Sequence, residues 1–346
     1  MAVFSPCFTT GKGSIAREGR SLKVFVTGGT GSVGLAVAEA FLARGHTPFL
    51  FAMAPVPARF GERAPLRDVA FVHGDIRSAH DLERALGVCR PDIVIHLAAV
   101  TPDLDAEKAA PERITEVNIS GVASLMKAVR AIPDIRRVVM ASSVAVYGHV
   151  DPAEGMISED HPLAPHSLYG ISKVAAEKTA LRLAEIYQMD VRIARIGPVY
   201  GPWEHGTAVR PMLSPHAQLL ERLLRGEPVI LDRRMAGDWL YSRDAGRGIA
   251  SLALAQVLKH DIYNIGNGSV STVAEWGTVM ASVLHGAPIT HSVPGKAPTI
   301  LSPLRQDRAP LSIDRLLQDT DYVPCFTGAD TVVNYLNWLE QYPDDL

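Results

Sequence analysis

Three residues have the types and spacing of a site that exchanges a proton with a hydroxyl or carbonyl group. Tyr169 and Lys173 are four positions apart in a segment predicted to be helical, so their side chains share one helix face. An ammonium group beside a phenol favours the phenolate, so Lys173 would make Tyr169 a better general base. Ser143 follows a predicted strand, and its hydroxyl would hold the reacting oxygen. The three residues together predict general acid–base catalysis by Tyr169.

A glycine-rich loop upstream has the spacing of a dinucleotide-binding turn. Gly28, Gly31 and Gly34 follow the short β-rich run 22–27 and open a helical pattern. The first glycine allows a sharp turn, the second lets the backbone approach a pyrophosphate, and the third lets helix and strand pack closely. The unpaired N–H groups of the helix N-terminus would face the phosphates. The loop therefore predicts a bound NAD or NADP.

The choice between these two cofactors depends on the end of the second predicted strand. An acidic residue about 20 positions after the glycines usually binds the ribose 2′-hydroxyl of NAD. The segment 49–54 offers none, whereas Arg59 and Arg63 lie a little beyond it and would suit a 2′-phosphate. Both arginines are equally well explained as solvated loop residues. The choice stays open, with a slight preference for NADP.

Strands and helices alternate along the first part of the chain and bring these residues to one edge of a sheet. Strands are predicted at 22–27, 48–53, 69–72, 93–97, 138–141 and 191–195, and helices at 32–44, 79–89, 111–132 and 168–188. The strands are apolar runs, which is typical of parallel strands covered on both faces. The pattern predicts an α/β fold with a doubly wound parallel Rossmann sheet, whose strand carboxyl ends face the ligand crevice.

The rest of the chain predicts a smaller, interleaved C-terminal substrate lobe. It opens with a Pro- and Gly-rich loop at 197–216, which is typical of a lid, and continues with helices at 217–225, 273–285 and 330–341 and strands at 229–231 and 261–265. The predicted domains are a flexible N-terminal extension at 1–20, a cofactor-binding domain at 21–196 that 244–266 rejoins, and the substrate lobe at 197–243 and 267–346.

Composition argues against several classes of protein. The 346 residues carry 34 Lys+Arg and 37 Asp+Glu, a net charge of −3, which gives no basic surface for nucleic acid or an anionic membrane. No stretch approaches the roughly 20 apolar residues that span a bilayer. Cys7, Cys89 and Cys325 are widely spaced and indicate thiols in a reducing cytoplasm. No histidine pair has persuasive metal-ligand spacing, so no metal site is expected.

The motifs, taken in order, resemble those of the extended short-chain dehydrogenase/reductases, the NAD(P)-dependent epimerase/dehydratase family. The residues that carry the resemblance are Thr27–Gly34, Asp75-Ile76, His96–Ala99, Asn118, Ser142–Gly148 and Tyr169–Lys173, and a weaker likeness continues through Asp238–Asp244 and 307–324. The resemblance implies that Ser143, Tyr169 and Lys173 are catalytic. It also implies a set of cofactor-binding residues: Gly28, Gly31, Ser32, Val33 and Gly34 at the pyrophosphate, Asp75 and Ile76 at the adenine, Leu97, Ala98 and Ala99 at the adenosine ribose and phosphates, Tyr169 and Lys173 at the nicotinamide ribose, and Ile196 at the carboxamide. Asn118 matches a family asparagine near the cofactor and is equally well explained as structural, and His96 is expected to be a packed strand-end residue.

Three departures from the family pattern constrain the reaction. Sugar dehydratases of the family carry an Asp-Glu pair after the catalytic Ser or Thr, where this chain has Val144 and Ala145, so dehydration is not expected. Pro198 stands where nucleotide-sugar enzymes often have an asparagine, and Gly237 where they often have a phosphate-binding arginine. These changes weaken the case for a nucleotide-sugar substrate without excluding it, since other arginines would be available: Arg210, Arg233, Arg234 and Arg305.

The predicted function is reversible hydride transfer between a nicotinamide cofactor and a secondary alcohol or ketone of a sugar or sugar-like small molecule. The predicted substrate residues are Ser143, Trp203, His205, Arg210 and Arg305, with the loop 197–216 closing the pocket. The alternatives are a nucleotide-sugar epimerase with tightly held NAD and a non-catalytic NAD(P)-sensing regulator. Sensors of this kind typically lack the Tyr-Lys pair that this chain keeps. A homodimer that pairs helices 111–132 and 168–188 is also expected.

Overall fold

Seven parallel strands form the central sheet of the computed structural model, which describes residues 20–207, 209–210, 212–285, 289–291, 297–302 and 306–343. With strands numbered in chain order, the sheet contains β1 (Lys23–Thr27), β2 (Thr47–Ala52), β3 (Ala70–His73), β4 (Ile93–His96), β5 (Arg137–Ser143), β6 (Val191–Ile196) and β11 (Ile262–Ile265). Their spatial order is β11-β6-β5-β4-β1-β2-β3. The order reverses between β1 and β4, and such a switch point creates a crevice at the strand carboxyl ends. The predicted fold class is confirmed.

Both faces of the sheet are buried, which explains why its strands read as apolar runs. Along β1, Val24 and Val26 belong to one hydrophobic cluster and Phe25 to the other, because successive side chains of a strand point to opposite faces. Helices cover the two faces: α1 (Ser32–Ala43), α3 (Ala79–Cys89), α5 (Pro111–Thr115), α6 (Gly121–Val129), α7 (Leu168–Tyr187) and α9 (Ser242–Leu254), with the short α2 (Ala58–Gly61) and α4 (Leu104–Ala109) in connections.

The predicted single helix 111–132 is interrupted. Pro111 starts α5 at a position where its missing N–H costs nothing, and a π-helical turn over Glu116–Ser120 separates α5 from α6. Turns of this kind are frequent at functional sites. Here the turn carries Asn118 into the core beside the crevice.

The C-terminal part of the chain packs against the carboxyl side of the sheet and returns to it through β11. It contains three two-stranded pairs, β7 (Val199–Tyr200) with β10 (Leu240–Tyr241), β8 (Val229–Leu231) with β13 (Ile289–His291), and β9 (Ala236–Gly237) with β12 (Ser271–Thr272). Its other helices are α8 (Pro215–Leu224), α10 (Val273–Val283), α11 (Asp314–Asp319) and α12 (Ala329–Gln341). The predicted extension at 1–20 lies, except for Arg20, outside the described residues.

Candidate active site

The glycine loop joins β1 to α1 and leaves the N-terminus of α1 open. Gly28 has φ +65°, and a Cβ on it would lie 2.7 Å from the backbone nitrogen of Ala98. A Cβ on Gly34 would lie 2.5 Å from the carbonyl oxygen of Gly28. Gly31 is the N-cap of α1, no side chain caps the helix, and its first turn has no acidic residue. The loop is therefore a backbone cradle at the positive, side-chain-uncapped end of α1, which fits a pyrophosphate.

The segment after β3 forms one side of the crevice, where the sequence places the adenine. Asp75 accepts hydrogen bonds from Nε and Nη2 of Arg77, the shorter at 2.7 Å, and Arg77 also reaches Glu116 at 2.9 Å. Hydrogen bonding to Arg77 is the main cause of a lowered pKa of Asp75. The carboxylate is thus ionised at neutral pH and able to accept from an amino group. Ile76 is buried beside it.

The segment after β4 forms the wall between the glycine loop and the catalytic side. Thr27 Oγ1 lies 2.7 Å from His96 Nδ1 and accepts a hydrogen bond from the Ala98 backbone at 3.3 Å. Burial, and secondarily Lys173, lowers the pKa of His96 to about 3. His96 is therefore a neutral, packed residue, as expected.

Asn118 fixes the same wall from behind. Its Oδ1 accepts from the Val100 backbone at 2.8 Å, and its Nδ2 donates to the Val100 carbonyl at 3.0 Å and to Ser172 Oγ at 3.0 Å. Both N–H donors of its amide are therefore used by Val100 and Ser172. These contacts favour the structural interpretation of Asn118 over direct cofactor contact.

Tyr169, Lys173 and Ser143 converge at the carboxyl end of β5. Ser167 caps α7 through a 3.1 Å bond from the Gly170 backbone, so Tyr169 lies in the first turn of the helix. Lys173 is buried, and its Nζ donates to the Ala141 carbonyl at 3.0 Å and lies 5.7 Å from the centre of the Tyr169 ring. Ser143 ends β5 and remains partly exposed.

Beneath these residues lies a buried polar network. Ser142 Oγ donates to Glu177 Oε1 at 2.5 Å, and Arg195 donates to both carboxylate oxygens of Glu177 at 2.9 and 2.7 Å. Arg195 also donates to Tyr147 Oη at 3.0 Å. Glu177 is not among the residues predicted for the site, although it lies four residues after Lys173 and eight after Tyr169, on the same face of α7.

Trp203, in the loop 197–216, is not placed where its predicted role in substrate binding requires it. This side chain is 0% exposed, donates to Glu39 at 2.9 Å and packs against Phe60 and Trp338. A fully enclosed indole presents no surface to a ligand, so the assignment of Trp203 to the substrate site is not retained. His205 also packs on Phe60, and its Nδ1 donates to the Trp203 carbonyl at 2.8 Å.

Glu204 stabilises this loop by accepting hydrogen bonds from other residues within it. It accepts from the Ser214 backbone at 2.7 Å, from Ser214 Oγ at 2.6 Å and from Arg210 at 3.4 Å. The loop tip reaches the wall after β4, where the Thr101 backbone donates to Val209 at 2.9 Å. Arg210 is therefore engaged by Glu204 within the loop, and Arg305 lies outside the described residues.

Comparison with known proteins decides the family. The family model described as the NAD dependent epimerase/dehydratase family matches residues 24–266. The chain belongs to this family. The match covers the glycine loop, the Tyr169–Lys173 pair and all seven strands of the central sheet.

Relatives of this epimerase/dehydratase family member cover most of its length. It is 32% identical over 279 residues to a dTDP-glucose 4,6-dehydratase of Actinoplanes sp., covering 77% of this chain and 83% of that protein. The UDP-glucose 4-epimerase of Thermus thermophilus, solved with NAD, is 28% identical, with a TM-score of 0.74 and coverage of 92% and 98%. The UDP-glucose 4-epimerase of Thermotoga maritima, solved with UDP-glucose, shares the fold at 20% identity, with a TM-score of 0.75 and coverage of 93% and 99%.

These findings confirm that the protein is an enzyme of the extended short-chain dehydrogenase/reductase type with a nicotinamide cofactor. They do not support the exclusion of dehydration, because dehydratases are among the relatives. Within the part of the chain that the structure describes, no helix is both long and apolar enough to span a membrane. The same residues contain no cluster of three or more potential metal ligands.

Proposed function

We propose that the protein is an NAD-dependent epimerase that acts on a secondary alcohol of a nucleotide-linked sugar. The observation that carries the proposal is the position of Lys173, bonded to the Ala141 carbonyl beside Ser143 at the end of β5 and facing the Tyr169 ring. The relatives that act on dTDP- and UDP-linked glucose support the substrate class. The retained Tyr169–Lys173 pair favours this enzyme over an NAD(P)-sensing regulator.

Each side chain has one task in the proposed mechanism. Tyr169 takes the proton of the substrate hydroxyl while the hydrogen on the same carbon leaves as hydride, so the alcohol becomes a ketone. NAD, when bound, would accept this hydride and later return it to the ketone. Ser143 donates a hydrogen bond to the reacting oxygen, and Tyr169 returns the proton when hydride is added to the opposite face of the ketone. The overall change is inversion at one carbon without net oxidation.

Lys173 has two roles in the proposed mechanism. One of its three N–H donors bonds to the Ala141 carbonyl, which leaves two donors for the nicotinamide ribose. Its positive charge lies beside the Tyr169 ring and stabilises the phenolate that forms during proton transfer.

The residues after Ser143 favour epimerisation over dehydration. Elimination of water needs a second acid–base group beside the sugar, which the Asp-Glu pair provides in the family pattern of sugar dehydratases. Val144 is buried, and neither Val144 nor Ala145 can transfer a proton. The chain therefore lacks that chemistry at this position.

NAD rather than NADP is favoured by the contacts of the two arginines after β2. Arg63 donates to the carbonyl of Gln341 at the end of α12, and Arg59 lies with its guanidinium 4.5 Å from the centre of the Phe60 ring. Arg63 is thus engaged by the C-terminal helix and Arg59 by its neighbour Phe60, so neither is committed to a 2′-phosphate. This replaces the slight preference for NADP drawn from the sequence.

The homodimer and the cytoplasmic location remain proposals. Ile171 and Ile186 on α7 are 49% and 54% exposed, although Leu168 and Leu181 of the same helix pack on the core. An exposed apolar pair on one long helix is consistent with a dimer contact through α6 and α7.

Turnover by the whole protein tests the proposed function. Wild-type protein with NAD and UDP-glucose, UDP-galactose or their dTDP counterparts is expected to give the C4 epimer, identified by NMR of the product, without accumulation of reduced nicotinamide. Tyr169→Phe is expected to bind NAD normally and lose at least about a hundredfold in kcat. Net formation of reduced cofactor would instead indicate a dehydrogenase, and full activity of Tyr169→Phe would refute the mechanism.

A further inference from the structure

A small recess of about 10 Å³, with room for roughly one water molecule, is lined by Val144, the residue that follows Ser143. Its walls include Val144, Pro198, Gly237 and Arg308. The first three have no side-chain hydrogen-bond donor or acceptor. They also occupy the three positions where the sequence departs from the polar residues of the family. The charged residues of the recess are Arg308 and Asp238.

Arg308 is buried without a counter-ion among the described residues. It is only 7% exposed, and its Nη2 donates to the Val144 carbonyl. Its Nε is buried with no hydrogen-bond partner among the described residues. Burial lowers the pKa of Arg308 to about 10, so the guanidinium is charged at neutral pH. A buried charge without a partner is costly, and binding an anion would offset that cost.

The other charged residue of the recess is already committed elsewhere. Asp238 Oδ1 accepts from the Asn267 backbone at 2.7 Å, and Oδ2 accepts from the Gly268 and Leu311 backbones at 3.1 and 3.0 Å. Burial raises the pKa of Asp238 to about 6, and no ion pair joins it to Arg308 in the described part of the chain. Asp238 therefore anchors three backbone segments and leaves Arg308 available.

We propose that Arg308 recognises a carboxylate on the substrate and that the natural substrate is a nucleotide-linked hexuronic acid. This rests on the proposed function. Arg308 bonds to the carbonyl of Val144, the residue next to Ser143, so a group that reaches it lies beside the reacting carbon. For a reaction at C4 of a hexose, C5 is the neighbouring ring carbon and carries C6. A carboxylate at C6 would take charge-assisted hydrogen bonds from the guanidinium, whereas a hydroxymethyl group would leave its charge uncompensated.

Two probes that differ only at C6 test the proposal. Binding of UDP-glucuronic acid and UDP-glucose to NAD-loaded Tyr169→Phe protein is measured by calorimetry, so that no turnover interferes. The acid is expected to bind at least about tenfold more tightly, the range of a charge-assisted hydrogen bond. In Arg308→Gln on the same background, this preference is expected to disappear through weaker binding of the acid. Arg315→Gln is the matched control, because Arg315 is ion-paired with Glu159 and Asp160.

Each alternative outcome has a definite meaning. Equal affinity for the two probes before substitution, or an unchanged preference in Arg308→Gln, would overturn the assignment of Arg308. If Arg308→Gln does not fold, Arg308→Lys is measured instead. Loss of the planar guanidinium is expected to reduce the preference for UDP-glucuronic acid severalfold. An unchanged ratio of the two affinities would overturn the assignment. If the acid is preferred but wild-type protein turns over neither sugar, the proposed function fails and the carboxylate site stands. If neither probe binds, both proposals fail.

Discussion

Glu177 and Arg195 form a bidentate ion pair in the core directly behind the candidate active site. Arg195 donates through Nε and Nη2 to the two oxygens of Glu177, and Ser142 Oγ donates to one of them. Glu177 is on α7, Ser142 on β5 and Arg195 on β6. One carboxylate therefore joins the helix that carries Lys173 to the strand that carries Ser143.

Glu177→Gln is expected to impair positioning as well as stability. The amide keeps the shape but leaves Arg195 as a buried charge without its partner, which typically costs about 3–5 kcal/mol. Because Lys173 is one helical turn away, its alignment with Tyr169 should also change. We expect kcat to fall about tenfold, with little change in KM, and the pH at which kcat rises to shift. Steady-state kinetics across pH and urea unfolding measure the two effects.

Asp190→Asn is the matched control for this variant. Asp190 pairs with the buried Arg137 at 2.9 Å, at the opposite end of β5 from Ser143. Its loss is expected to lower the free energy of unfolding while leaving the pH profile of kcat unchanged. Equal kinetic effects of the two variants would show that Glu177 acts only through global stability.

The protein is expected to bind NAD with a Kd at least about tenfold lower than that of NADP. Arg63 is engaged by the Gln341 carbonyl. A 2′-phosphate would have to displace that contact, and a tenfold preference corresponds to about 1.4 kcal/mol. Fluorescence titration with the two reduced cofactors measures the ratio. Arg63→Ala is expected to leave it unchanged, whereas tighter binding of NADPH that weakens in Arg63→Ala would restore the interpretation drawn from the sequence.

The parallel sheet was predictable, and the candidate catalytic residues could be proposed, because local patterns determine them. Apolar strand runs, glycines at a spacing of three and a Tyr-Lys pair at i, i+4 each have a direct physical meaning. Helix α9 was not predicted, because Gly246 and Gly248 in its sequence disfavour a helix in isolation. Those glycines serve tertiary packing: a Cβ on Gly246 would lie 2.3 Å from the carbonyl oxygen of Ala36 in α1.

The substrate side of the site was less predictable because burial and pairing there depend on distant segments. Trp203 was read as a pocket residue from its place in a Pro- and Gly-rich loop, but α12 brings Trp338 onto it and encloses it. Arg308 gave no signal, since only the folded chain places it on the carbonyl of Val144, 164 positions away. Contacts of this range leave no local pattern in the sequence.

The exposed apolar residues of α7 predict the oligomeric state. Ile171 and Ile186 are 49% and 54% exposed on a helix whose other face packs on the sheet. If this face is the dimer contact, the double variant Ile171→Glu/Ile186→Glu is expected to be a monomer, because dimer formation would bury the two new carboxylates in the interface. Light scattering measures the mass. Val257→Glu, which changes another exposed residue outside α7, serves as the control and is expected to leave the mass unchanged. A monomeric wild-type protein would contradict the prediction.

His216 predicts a specific loss of stability in acid. The ring is buried in α8, stacks on Tyr200 at 3.8 Å, and its Nδ1 has no hydrogen-bond partner among the described residues. Burial lowers its pKa from 6.5 to about 3. Between these values the unfolded chain binds a proton that the folded protein does not, so stability increases with pH in this window and falls as pH drops below about 6.5.

His216→Phe isolates that contribution, since phenylalanine keeps the stacking and cannot be protonated. When the pH is lowered from 7 to 5, the free energy of unfolding of the variant is expected to rise by about 2 kcal/mol relative to that of the wild type. The expected slope is about 1.4 kcal/mol per pH unit at pH values between the two pKa values. Urea unfolding at the two pH values measures it. His285→Phe is the control, because His285 is an exposed histidine. A difference that is independent of pH would show that His216 is protonated in the folded protein.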